Sequence, residues 1–469
     1  MTIGSPSAAG PRELVVIARS GADLRPAVEL SAMPPTPESL DLQSTLDTLG
    51  AALVPMFDAA SEVAAQAAAG DLPSAGQFFT VAAPDEQLEE VAARLRALPS
   101  VEAAYVKAPA EPAEILNDME ATAMADLAAP TPDFRTRQGY LDKAPAGVDA
   151  AAAWAYPGGR GSDVRVIDVE GAWRFTHEDN TANIMGVVGG TASSDLGWRN
   201  HGTAVIGEIG GDDNSIGVVG IAPESSVGAV SIFPSGSAHA FAAAAARLRA
   251  GDILLVELHR PGPNATGVGQ QGYIAMEWWP DDYFALQAAV ARGIIVVAAA
   301  GNGAENLDAP VYDTALAGFP AWWRNPFRRA PLDSGAILVG AGAPPPGTHG
   351  QDHGPDRSRL GFSNFGAAVD AQGWGREVTT LGYGDLQGGP SEDRWYTDRF
   401  SGTSSASPIV VGTLAALQGI ARRRGRPIVP AEARRLLRST GSPQEDAPGR
   451  PRTQRIGNRP DLRALTAAL

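Results

Sequence analysis

Hydrophobic spacing changes several times along the first 107 residues. Residues 14–18 form an unbroken apolar run of strand length, whereas 40–57 carries apolar residues at helical spacing. Residues 78–81 read as a second strand. Over 85–98, Leu88, Val91, Leu95 and Leu98 fall on one helical face, with acids in the first turn where the helix dipole favours them. Pro99 and Ser100 close that helix, and 101–106 form a last strand. Residues 108–132 lose all periodicity and are rich in Ala, Pro and acids, the texture of an exposed linker.

Past Gly139 a second texture begins. Short apolar runs at 164–167, 226–232, 253–258, 294–299 and 336–340 alternate with Ala-rich helical stretches at 238–250 and 283–292. A last long helix is expected from Thr403 to Arg424. Such alternation predicts an α/β fold, a parallel central sheet with helices on both faces, preceded by a small α+β unit. The expected division is 1–108 for the N-terminal domain, 109–138 for a linker and 139–469 for the α/β domain.

Composition narrows the function. Hydrophobic residues make up 44% of the 469, enough for a large core, and 54 Gly with 37 Pro imply many turns. The net charge of −16, from 37 basic and 53 acidic residues, argues against nucleic acid as a partner. The one basic stretch, Arg422, Arg423, Arg424 and Arg426, reads as a helix C-terminus facing the negative dipole end. With no cysteine, disulfides, thiol catalysis and cysteine-bound zinc are excluded. Residues 1–10 are small and polar, with no basic residue leading into an apolar stretch there, and no run approaches the roughly 18 apolar residues of a membrane span. The expectation is a cytoplasmic protein without a membrane partner, with export by a non-standard route left open.

Three short segments carry candidate chemistry. Asp168 closes the apolar run 164–167, at the strand end where open α/β sheets gather their sites. His201 opens His-Gly-Thr-Ala-Val-Ile-Gly. Ser404 lies in Ser401-Gly-Thr-Ser-Ser-Ala-Ser-Pro408, ahead of the long helix. Singly, these read as turn, packing and N-cap residues. Together they are the minimum set for nucleophilic catalysis: a serine hydroxyl is weak until a base takes its proton, and the base needs an acid to hold its tautomer. The chain order Asp, His, Ser is that of subtilisin.

At these residues the chain resembles the subtilisin-like (subtilase) serine peptidases, over about 139–469. The His201 and Ser404 segments resemble that family's motifs, as do Asn214-Ser-Ile-Gly-Val-Val-Gly-Ile-Ala-Pro223, Phe362-Ser-Asn-Phe-Gly366 and Asn458-Arg-Pro-Asp-Leu462. Ala298-Ala-Ala-Gly-Asn302 resembles its oxyanion segment. The segments 262–282 and 307–329 are extra to the pattern. The resemblance implies a serine endopeptidase with Asp168, His201 and Ser404 as triad and Asn302 as oxyanion donor. Where the family has Ser or Thr and then Gly after the aspartate, this chain has Asp168-Val-Glu-Gly171, which leaves Glu170 as an alternative partner for His201. Among the other histidines, His177 resembles a structural segment, His259 follows a strand, and His239, His349 and His353 have no partner motif.

The resemblance implies more. Glu257, Leu258 and His259 would form one wall of the substrate cleft and Ala299, Ala300 and Gly301 the other, with Glu257 either favouring a basic substrate residue or pointing away as a surface charge. Asp179 and Asn214 match ligands of a structural calcium ion, the alternative being a hydrogen-bonded turn; the chemistry itself requires no cofactor. The strand–helix order of the N-terminal domain resembles an inhibitory propeptide, with an unrelated accessory domain as the alternative. Its chain would pass the active site and be cut within residues 106–138. The expected partners are a protein or peptide substrate and this domain. Two other functions stay open: peptide maturation or acyl transfer on one dedicated partner, and a binding scaffold on a dead peptidase fold.

Overall fold

The computed structural model describes residues 10–22, 24, 37–57, 72–114 and 130–469. The N-terminal unit contains β1 (Glu13–Ala18), α1 (Pro37–Leu49), β2 (Ala52–Pro55), β3 (Phe78–Ala82), α2 (Leu88–Arg96) and β4 (Val101–Lys107). Its strands form one antiparallel sheet in the order β2-β3-β1-β4. The helix expected over 40–57 stops early. Gly50 adopts a positive φ of 59°, the left-handed turn that closes many helices, and the chain re-enters the sheet with Leu53 opposite Val81.

Alternation along β1 gives this unit two buried faces. Leu14 and Val16 pack with Leu42, Leu46, Val91 and Leu95 of its own helices. Val15 and Ile17 face the other way, with Phe57, Phe78 and Tyr105, into a core shared with the second unit. Phe284 of that unit stacks on Phe57 and Phe78 at ring separations of 5.3 and 4.5 Å.

The second unit continues through β5 (Glu111–Pro112), α3 (Ala150–Trp154), β6 (Arg165–Glu170), β7 (Ile184–Gly189), α4 (Leu196–Gly210), β8 (Ser226–Ser231), α5 (Ser237–Arg247), β9 (Ile253–Val256), β10 (Leu258–Pro261) and β11 (Tyr273–Ala275). Then come α6 (Pro280–Ala291), β12 (Ile295–Ala299), β13 (Ile337–Gly342), β14 (Val369–Trp374), β15 (Val378–Leu381), β16 (Tyr396–Phe400), α7 (Thr403–Arg423), α8 (Pro430–Ser439) and α9 (Leu462–Ala467). Seven strands form a parallel sheet in the order β14-β13-β12-β9-β6-β8-β7. The chain leaves β6 to one side for β7 and β8, then crosses back to β9 on the other. That reversal puts the switch point, where ligands gather, at the carboxyl end of β6.

The two faces of the sheet are set by strand parity. Val166, Leu255, Val297 and Val339 pack toward α4 and α7. Ile167, Leu254, Val296 and Leu338 pack toward α5, α6 and the N-terminal sheet. Helix α7 is long and apolar enough to cross a bilayer, which the count of consecutive apolar residues had not suggested, but its apolar window is wholly buried and it is the central core helix. The expected linker is also partly built in. The Phe134 N–H donates to the Gly217 carbonyl at 2.6 Å, and Gln138 bonds Val219 through both its amide groups. Residues 115–129 lie outside the described residues.

Candidate active site

Strand β6 runs three residues past the apolar stretch seen in the sequence and ends at Glu170. Asp168 and Glu170, two apart, therefore leave the same face of the strand, the one covered by α4 and α7. Asp195 caps α4 by accepting the Trp198 N–H at 3.0 Å. Within α4, Gly202 lies so close to the loop after β6 that a Cβ there would sit 2.3 Å from the Ala172 carbonyl oxygen. This close approach brings the neighbouring His201 to the end of β6.

The carboxylate that meets the imidazole is Glu170. Its Oε2 lies 2.7 Å from His201 Nδ1. Asp168 is engaged elsewhere, its Oδ2 accepting the Trp173 indole N–H at 2.7 Å. The expectation that Asp168 holds His201 directly is corrected: the indole occupies the aspartate, and the longer glutamate spans the remaining gap. Both acids are fully buried and lie against one another. Burial first pushes both carboxyls well above the usual range, and Glu170 adds to the rise at Asp168. Burial also lowers the His201 imidazole, favouring the neutral form a base requires.

Ser404 sits in the first turn of α7. Its Oγ and the Nε2 of His201 are both buried, and neither makes a well-formed hydrogen bond, to the other or elsewhere; the Ser404 side chain lies beside the buried Glu257 carboxyl. The Ser404 backbone N–H donates to the carbonyl oxygen of Ala113 at 3.2 Å. Gly402, with a positive φ of 110°, makes room for that carbonyl; a Cβ would stand 2.3 Å from it. Asn302 is brought to the same helix end. Its Oδ1 accepts from Thr403 N and Oγ1, both at 2.9 Å, and its Nδ2 donates to Gln270 at 3.1 Å.

The chain ahead of Ala113 occupies the cleft as an added strand. Antiparallel β5 pairs with β10, Glu111 opposite His259 and Pro112 opposite Leu258. The Ala113 N–H donates to the Glu257 carbonyl at 3.3 Å. Gln270 Nε2 donates to the Pro112 carbonyl at 2.8 Å, and Tyr273 Oη to the Glu111 carboxylate at 3.0 Å. Glu114, on the far side of the Ala113 carbonyl, lies beside His201 and Tyr383. Gln270, Tyr273, Thr403 and Trp173 were missed from sequence. The first two stand in the extra segment 262–282, whose position was the available signal.

Among the expected cleft residues, Glu257, Leu258 and His259 do flank this strand, but Glu257 serves it through its backbone alone. Parity along β9 sends the Glu257 side chain to the α4 and α7 face, fully buried near Ser404, Ser407, Asp168 and Glu208. It is neither a surface charge nor a wall of the cleft, and the basic preference expected from it is dropped. His259 accepts the Asn302 N–H on Nδ1 and is held neutral by burial and by His201, its pKa lowered to about 3. Ala299 ends β12, and the Gly301 N–H donates to Thr403 Oγ1 at 3.2 Å, so Ala299, Ala300 and Gly301 lead into Asn302 as a buried wall.

Asp179 and Asn214 are adjacent but do not fit a calcium ion. Asp179 accepts from Asn214 Nδ2 and from the Val218 N–H, each at 2.7 Å. Asn214 Oδ1 takes the Ile216 N–H at 2.8 Å, and the Arg135 guanidinium donates to the Asn214 carbonyl. Calcium needs six to eight free oxygens, and here they are already bonded. Burial first, then nearby acids, raise Asp179 to about 8. A chelator is expected to leave the melting temperature unchanged; a drop would restore the ion, since a ligand bound only to the native state stabilises it.

A family model described as the subtilase family matches residues 174–457, beginning just after the two acids of β6. Subtilisin Savinase of Lederbergia lenta is 30% identical over 266 residues, covering 55% of this chain and 76% of that protein. An intracellular serine protease of Paenibacillus polymyxa is 26% identical over 290 residues, covering 60% and 74%. Among solved structures, fervidolysin from Fervidobacterium pennivorans, a keratinolytic enzyme related to subtilisin, aligns with a TM-score of 0.55 at 14% identity. That alignment covers 99% of this chain, N-terminal unit included, and 62% of fervidolysin.

Proposed function

The chain belongs to the subtilase family and is a subtilisin-like serine endopeptidase, and from that premise we propose the roles of its residues and its first substrate. Ser404 is the nucleophile and His201 the base that takes its proton and returns it to the leaving amine. The Ser404 backbone N–H, at the positive end of α7, stabilises the oxyanion, and Asn302 turns its amide from Gln270 to the same oxygen as charge develops there. No cofactor is needed for these steps.

The first substrate is the chain's own Ala113–Glu114 bond. The observation that carries this is the Ala113 carbonyl on the Ser404 N–H, at the end of a strand paired in register with β10. The N-terminal unit is then an inhibitor that holds its own product end in the cleft. Purified protein is expected to separate into two chains, the larger beginning at Glu114, by mass and N-terminal sequencing. A chain that hydrolyses other proteins while remaining uncut, or one cut at a distant bond, would overturn this reading.

A further inference from the structure

We propose that Glu170 is the acid of the catalytic triad, and that Asp168, carrying a proton, positions it through an Oδ1–H···Oε1 hydrogen bond. The inference deepens the peptidase reading and rests on it. Four carboxyl oxygens at the end of β6 have to be accounted for. Glu170 Oε2 serves His201 and Asp168 Oδ2 serves Trp173. The two left over, Asp168 Oδ1 and Glu170 Oε1, are buried and have no other hydrogen-bond partner. The two side chains lie against each other, both wholly buried.

Two carboxylates in contact inside a protein cannot both be charged, so the pair holds one proton. A single hydrogen between the leftover oxygens satisfies both, which removes the cost of two orphaned buried acceptors. Its place on Asp168 follows from what each acid faces. The indole N–H is a neutral donor and binds a carboxylic acid oxygen without needing charge. The imidazole becomes a cation when it takes the serine proton, so the negative charge belongs on Glu170. The proton count closes: the Ser404 Oγ hydrogen passes to His201 Nε2, the Nδ1 hydrogen stays donated to Glu170, and the Asp168 hydrogen never leaves. Nε2 then delivers its proton to the departing amine.

The arrangement separates the two acids by substitution. Glu170→Gln cannot balance the imidazolium and is expected to cost about 10³–10⁴-fold in kcat on casein, the scale for neutralising a triad acid, with KM little changed. Asp168→Asn is expected to stay within about tenfold of the unsubstituted enzyme, because the amide donates to Glu170 and its carbonyl accepts from Trp173. Asp168→Ala, which does neither, is expected to fall well below Asp168→Asn, so the conservative variant rescues. Where a variant stays uncut, the low-field proton resonance of His201 Nδ1–H on the full chain decides: lost in Glu170→Gln, kept in Asp168→Asn. The reverse pattern, Asp168→Asn inactive with Glu170→Gln active, overturns the assignment. Activity surviving in Ser404→Ala would instead bring down the peptidase reading beneath it.

Discussion

Ser404→Ala is expected to leave a folded, uncut 469-residue chain that no longer hydrolyses protein. Removing the nucleophile of such a triad costs about 10⁶-fold in kcat, as much as removing its histidine. Folding should survive, because the Ser404 side chain makes no well-formed hydrogen bond and its backbone N–H, which does, is kept. A fluorophosphonate should label the unsubstituted enzyme at Ser404 and leave the alanine variant unlabelled. Casein hydrolysis and mass analysis together check the result. Turnover by Ser404→Ala at the original rate would remove Ser404 from the mechanism.

Lys107→Met, made in the N-terminal unit and added to mature enzyme as a separate piece, is expected to weaken inhibition by about 10²–10⁴-fold. Lys107 is wholly buried at the junction of the two units. Its Nζ lies 3.2 Å from Glu13 in its own unit and reaches Asp281 and Asp282 in the first turn of α6. Arg260 completes the cluster through Glu13 at 2.8 Å, and Tyr105 Oη donates to Asp281 at 2.9 Å. Charges so deeply buried contribute little net stability as a set. Removing one cation leaves the facing carboxylates uncompensated, at about 3–5 kcal/mol. The inhibition constant against casein hydrolysis measures this directly. An unchanged constant would mean that the apolar contacts of Phe57 and Phe78 hold the unit by themselves.

The hydrophobic pattern alone was enough for the parallel sheet and for the α+β character of the first hundred residues, and short local motifs carried the resemblance that singled out His201, Asn302 and Ser404. These are local properties. Apolar runs of strand length, glycine and serine ahead of a long apolar helix, and a histidine before Gly-Thr are legible without knowing what packs against them. Three features were decided only by the tertiary structure. Strand parity puts Asp168 and Glu170 on one face, but which of them meets His201 depends on where Trp173 lies and how closely Gly202 lets α4 approach. The family resemblance put Glu257 in the wall of the cleft; the parity carried over from β9, fixed by which helices cover each face, turns it into the core. The linker's apolar spacing is too weak to choose a bond, and only the register of β5 against β10 brings Ala113 to Ser404. In each case the deciding contact joins residues far apart in the chain, and local periodicity carries no information about such pairs.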